Sequence, residues 1–121
     1  MAEGFADTAA IRSWHAHVYY DTGSRSEAER LREAIGAGFE VQLGRWHDEP
    51  VGPHPTSMYQ VAFPVSEFPR LVPFLALNRG KLTVLVHPQA GNAYDDHTAH
   101  AMWLGPALPL RLDVLRRAPA G

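Results

Sequence analysis

SWHAHVYYD, residues 13–21, has the pattern of a β-strand with two unlike faces. Side chains alternate along an extended chain, so Trp14, Ala16, Val18 and Tyr20 share one face. His15, His17 and Tyr19 share the other. The first row is ordinary core material. The second sets two imidazoles and a phenol side by side, and what they serve depends on the elements around them.

The strand ends in the turn cluster DTGS, residues 21–24. SRSEAERLREAIGAG (24–38) then opens on two overlapping capping boxes, Ser24 with Glu27 and Ser26 with Glu29. Ala28, Leu31 and Ile35 recur at helical spacing, and Gly36 or Gly38 supplies the stop. FEVQLGRW (39–46) sets Phe39, Val41 and Leu43 against Glu40, Gln42 and Gly44, the pattern of a half-buried strand. After the proline-rich loop HDEPVGPHP, TSMYQVAF (56–63) is a third strand with less clearly divided faces. PVSEFPRLVPFLALNRG (64–80) offers Ser66 as an N-cap and Phe68, Leu71, Val72 and Leu75 at helical spacing. Pro69 suits a first turn, whereas Pro73 should kink the helix or delay its start. KLTVLVH (81–87) is a fourth strand, with Leu82, Val84 and Val86 opposed to Thr83, Leu85 and His87. LPLRLDVL (108–115) alternates again and is expected to form a fifth strand.

The order β-α-β-β-α-β is the split pattern of ferredoxin-like folds. It predicts an α+β domain over residues 11–115, between a mobile leader (1–10) and a tail (116–121). Both helices should cover one face of an antiparallel sheet of strand order 4-1-3-2, with the C-terminal strand added. A chain of 121 residues can bury a real core, and its 45% hydrophobic and 20% charged content is that of a globular domain. A formal net charge of −2 without a long basic run argues against a nucleic-acid partner. Arg116 and Arg117 are expected to be a solvated pair. The N-terminus has neither a charged leader nor an apolar run, and no stretch has the length of a membrane span. With no cysteine, disulfides, thiolate metal sites and cysteine nucleophiles are excluded. That composition fits a reducing compartment, and the cytoplasm is the expected location.

Seven histidines are the compositional oddity. In the expected topology the first and fourth strands are antiparallel neighbours, so His87 at the end of one lies beside His15 at the start of the other. Cross-strand Cβ atoms stand about 5 Å apart, a gap two imidazoles can close around one metal. His17 is one step further along the same face. His97 and His100, three apart, share a face if their segment is helical. His54 precedes the third strand and reaches Tyr19 only if the proline-rich loop bends inward. His47 has the setting of a surface loop residue.

Three blocks, WHAHVYYD, GPHPTSMYQVAF and VLVHPQAGNAYDDHTAHAMWLG, together resemble the DOPA 4,5-dioxygenase family, which includes bacterial proteins and fungal enzymes of betalain-type pigment formation. The resemblance covers residues 11–115 or so. It implies a ferredoxin-like fold and an extradiol cleavage of a catechol such as DOPA, using O2 and non-haem Fe(II). The histidine-bearing blocks of the family fall on His15 and His17, His54, His87, and His97 and His100. The expected metal ligands are His15, His87 and His100. His17, His54 or His97 is expected to move protons, and Tyr19 or Tyr59 to hydrogen-bond the oxygen co-substrate. Two histidines and a carboxylate would suit the metal. Glu40 lies at the far sheet edge, while Asp95 and Asp96 are within reach unless a third histidine replaces the acid. Arg12 and Arg45 are candidates for binding a substrate carboxylate.

Two readings from other classes stand beside this one. An exposed sheet face also suits a non-catalytic dimeric ligand-binding module, and a histidine cluster also suits a metal-dependent enzyme of another reaction type, such as a zinc hydrolase. In each case the uncovered face argues for a homodimer.

Overall fold

The computed structural model describes residues 3–116; residues 1–2 of the leader and 117–121 of the tail, with Arg117, lie outside the described residues. Five strands form one antiparallel sheet: β1 (Ser13–Tyr19), β2 (Gln42–Leu43), β3 (Met58–Phe63), β4 (Thr83–Gln89) and β5 (Met102–Leu104). Their order is β2-β3-β1-β4-β5. The helices are α1 (Arg25–Gly38), α2 (Phe68–Asn78), α3 (Ala93–His97) and α4 (Leu112–Arg116). The first four strands with α1 and α2 carry the ferredoxin-like order, and the fold is α+β. Among the described residues no helix is long and apolar enough to cross a membrane.

The two periodicities meet in one core. Ala16, Val18 and Tyr20 join Tyr59, Val61 and Phe63 and the Leu82–Val84–Val86 row beneath Ala28, Leu31 and Ile35 of α1 and Leu71 and Leu75 of α2. Removing a side chain of that size from water stabilises the fold by about 1.5–3 kcal/mol. Both long helices therefore lie on one side of the sheet, and the His15–His17–Tyr19 row faces away from them.

Four local expectations need correction. The strand expected over 39–46 pairs regularly only at Gln42↔Ala62 and Leu43↔Val61. Gly44 N–H still donates to Gln60 C=O at 2.8 Å, but the next bridge, His47↔Met58, is one residue out of step. That extra residue is a β-bulge. It reverses the alternation, so Trp46 turns to the core beside Tyr20 and Tyr59.

The fifth strand is Met102–Leu104 and not residues 108–115. Pro106 and Pro109 cannot donate to a ladder. Leu108 and Leu110 instead lie on Tyr19, Met58 and Leu85, and Arg111 N–H donates to Pro53 C=O at 2.8 Å. At Leu108 and Leu110 the alternation records one-sided burial without a sheet, and the rest of the stretch turns into α4, where Leu115 is buried and Val114 exposed.

The capping boxes do not form. Ser24 Oγ donates to Asp21 Oδ1 and accepts from Asp21 N–H, both at 3.0 Å, which closes the DTGS turn and leaves α1 uncapped by it. Ser26 is inside α1. Likewise Ser66 sits in a 3-10 turn (Val65–Glu67), and α2 starts at Phe68 without waiting for Pro73. What anchors that start is Glu67, which is buried. Its Oε2 accepts Glu40 N–H at 2.7 Å and its Oε1 accepts from Arg70 at 2.8 Å.

Within the expected leader, Thr8–Ala10 form a 3-10 turn closed by the Asp7 carboxylate. Arg116 is exposed, as expected, and donates to Tyr94 Oη at 2.9 Å.

Ile35 is fully buried under the sheet, whereas Leu77 on the outer side of α2 is 85% exposed. Ile35→Ala is expected to lower unfolding free energy by about 2–5 kcal/mol. Leu77→Ala should change it by less than about 0.5 kcal/mol. Urea denaturation of both variants checks this, and equal losses would show that the core has been placed wrongly.

Candidate metal centre

Register turns the sequence pattern into a site. β1 pairs with β4 so that His15 stands opposite His87, His17 opposite Leu85 and Tyr19 opposite Thr83. On its other side it meets Ala62, Gln60 and Met58 of β3. The Tyr19 end of this face is apolar, where Met58 and Leu85 are covered by Trp103, Leu108 and Leu110. The His15 end is where the imidazoles gather.

Two further histidines arrive from loops. A turn closed by His54 N–H donating to Val51 C=O, with Gly52 at φ +55°, bends the proline-rich loop inward. That backbone conformation is open to glycine at little cost. His54 ends almost fully buried, its ring 4.2 Å from that of His17. The second is His97 on α3, whose N-cap Asn92 accepts from Asp95 N–H at 2.9 Å. Its ring lies 3.9 Å from that of His87.

The ring nitrogens are individually tied. Nδ1–H of His87 donates to Pro88 C=O at 2.9 Å, and Nδ1–H of His97 donates to Ala93 C=O at 2.7 Å. Tyr19 Oη and His54 Nδ1 are 2.7 Å apart. His17 Nε2 and His87 Nε2 are 3.0 Å apart, while His17 Nδ1 is buried with no partner. Leaving such an atom unsatisfied costs about 1–3 kcal/mol. Imidazoles oriented by carbonyls through the far nitrogen are the usual setting of metal-binding histidines, and the orphaned Nδ1 is an atom that an ion would satisfy. Two sets of three donors, each within 4.8 Å of one another, could share an ion: His15, His17 and His87, or His17, His54 and His97.

Burial keeps these rings neutral. It lowers His17 well below the ordinary histidine range, with His54, His87, His97 and His15 adding to the effect. His54 falls to about 4 and His87 to about 3, each from burial first and His97 second. His15 and His97 are lowered by burial too, and the charge of Asp96 opposes the fall without reversing it. Burial also raises Tyr19, which stays a neutral phenol.

Not every expected residue comes to the cluster. His100 is half-exposed, with Nδ1 3.6 Å from Asp96 Oδ1, and belongs to neither set of donors. Tyr59 lies on the helix side of the sheet, where Oη donates to Ala28 C=O at 3.0 Å, because odd-numbered residues of β3 face the core. Asp96 is buried, but its Oδ2 accepts Ala90 N–H at 3.0 Å, and no carboxylate joins either donor set among the described residues. A groove of about 470 Å³ opens at His15 and is lined by Arg12, Glu40 and Gln42; Arg45 does not line it. His47 bridges Met58 and is half-buried. Residue spacing had no means of separating His97 from His100, because α3 ends between them.

Fold and centre together define a small ferredoxin-like protein whose open sheet face carries a histidine site suited to a divalent transition metal. The sequence profile of the Dopa 4,5-dioxygenase family matches residues 14–114, and the chain belongs to that family. It is 36% identical over 111 residues to a DOPA 4,5-dioxygenase of Amanita muscaria, covering 84% of this chain and 49% of that protein. An uncharacterized 21.2 kDa protein of Botryotinia fuckeliana is 35% identical over 123 residues, covering 92% of this chain and 67% of that one. The chain thus spans about half the length of the Amanita relative. A crystal structure from Nostoc punctiforme PCC 73102, described as a "putative dioxygenase", superposes with a TM-score of 0.92 at 54% identity, covering 93% of this chain and 98% of that one.

These histidines bind protons more weakly folded than unfolded. Between their ordinary value of 6.5 and about 4 for His54 or 3 for His87, the unfolded chain holds the extra protons, so stability rises with pH across that window. At pH 5.5 each ring kept neutral should cost about 1 kcal/mol relative to pH 7.5. The metal-free protein is therefore expected to melt several degrees lower at pH 5.5, with a smaller drop in His54→Ala. Equal melting temperatures at the two pH values would contradict the burial of neutral rings.

Proposed function

We propose that the protein is a metal-dependent dioxygenase that opens a catechol ring, with non-haem Fe(II) as its metal and a catechol such as DOPA as substrate. The observation that carries this is the convergence of neutral imidazoles on one face, two of them with Nδ1–H committed to backbone carbonyls. Membership of the Dopa 4,5-dioxygenase family supports the reaction class. The ion would be held by three of His15, His17, His54, His87 and His97. When bound, it supplies adjacent open positions for a catecholate and O2.

In extradiol cleavage both atoms of O2 enter the product as the ring carbon–carbon bond beside the diol breaks, so no outside reductant is needed. The chain's own part is positioning and proton handling. Imidazoles outside the coordination are neutral near pH 7 and can take a catechol proton. Tyr19, held neutral by burial, can donate its hydroxyl. The groove at His15 has room for a ring and side chain, and the Arg12 guanidinium at its rim suits a carboxylate. The homodimer expected from the sequence stands beside this as a proposal.

The test is oxygen uptake by anaerobically Fe(II)-loaded protein with DOPA and simpler catechols, followed by absorbance of the yellow ring-opened product. Uptake should match product formation and fall at least about 100-fold after chelation. Loaded protein that consumes no more O2 than free Fe(II) would rule the reading out.

A further inference from the structure

Five imidazoles crowd one face, yet the two candidate sets of donors share His17, so a single ring decides between them. The deciding quantity is where that ring keeps its proton. His87 and His97 donate Nδ1–H to carbonyl oxygens, which can only accept. In the neutral rings both Nε2 atoms therefore carry lone pairs. His17 Nε2 lies 3.0 Å from that of His87. Two lone pairs do not face each other at that distance without a proton or a cation between them.

A cation between them would push the His17 proton onto Nδ1, which is buried and has no acceptor. A proton on Nε2 instead makes an N–H···N bond to His87 and leaves Nδ1 as a bare lone pair. Only the second arrangement leaves no buried N–H stranded, and the bare Nδ1 is then a ligand atom in want of an ion. We propose that the metal is held by His17 through Nδ1, together with His54 and His97, and that His87 is a positioning residue that fixes the His17 ring. This rests on the reading above that the face holds a metal.

Each nitrogen then has one task. His97 offers Nε2, with Nδ1–H on Ala93. His54 offers Nε2 once its Nδ1–H is donated to the Tyr19 oxygen, the contact seen at 2.7 Å. His87 passes the orientation of the Pro88 carbonyl to His17. Three neutral ligands leave the full charge of a divalent ion to an anionic substrate, and His15 stands outside the coordination.

The experiment is titration of the metal-free protein with Co(II), read by visible absorption, with circular dichroism as the check on folding. Wild type should bind one equivalent. His54→Ala and His97→Ala should lose at least about 100-fold in affinity, with His54→Gln and His97→Gln tested alongside in case an alanine variant does not fold. His15→Ala should bind within about threefold of wild type. His87→Ala should weaken binding about 10- to 100-fold, and His87→Gln should recover part of it, because its amide oxygen can accept His17 Nε2–H. If His15→Ala loses the ion while the His54 and His97 variants keep it, the metal sits in the other set and the proposal is overturned. Loss in all three positions overturns it as well. Wild type that binds Co(II) with either pattern leaves the metal-dependent reading intact, whereas wild type that binds none removes both.

Discussion

Because β1 pairs with β4 so that His15 stands opposite His87, the other placements that β1 and β4 make on the open face follow. Side chains alternate with a period of two, so a slip of one residue would swing the imidazoles beneath the helices and the core row into the groove. The core holds the register against that slip. Ala16, Val18 and Tyr20 can face α1 and α2 only if His15, His17 and Tyr19 face away. The site is in this sense the reverse side of the hydrophobic core.

The open face divides into two halves with linked purposes. Its apolar half, around Tyr19, Met58 and Leu85, is where Leu108 and Leu110 of the C-terminal segment are seated. That segment reaches back through Arg111 N–H to the carbonyl of Pro53, beside His54. The loop that carries His54 is therefore clamped by the chain that follows β5. Packing that has no chemistry of its own holds in place a ring that does.

Among the described residues, five basic rings share one neighbourhood with no carboxylate in either set of donors. Burial and mutual repulsion keep them neutral, and Asp96, whose charge acts on His15 and His97, gives one of its oxygens to Ala90 N–H. Hydrogen bonds hold four of these rings in place, but they leave the buried Nδ1 of His17 without a partner. A cation, as proposed above, would satisfy that atom. The absence of an acid from the set matters equally, because the charge brought by a divalent ion would remain available to an anionic ligand.

Period-two and helical patterns in the sequence were enough to place His15, His17, Tyr19 and His87 on one face and the core residues on the other, because parity along a strand is a local property. The same local rules miscarried where tertiary partners intervene. Ser24 matched a cap but found Asp21 closer; the alternation at Leu108 and Leu110 came from burial against Tyr19 and Leu85 with no ladder, while 112–116 became a helix; and the bulge after Gly44 turned Trp46 inward. Only the tertiary structure brought His54 and His97 in, left His100 out and put Tyr59 beneath α1. Loop closure and the end of a short helix depend on contacts distant in the chain. So does the bond made by each imidazole's second nitrogen, and that bond decides whether a histidine is a donor, an acceptor or a ligand.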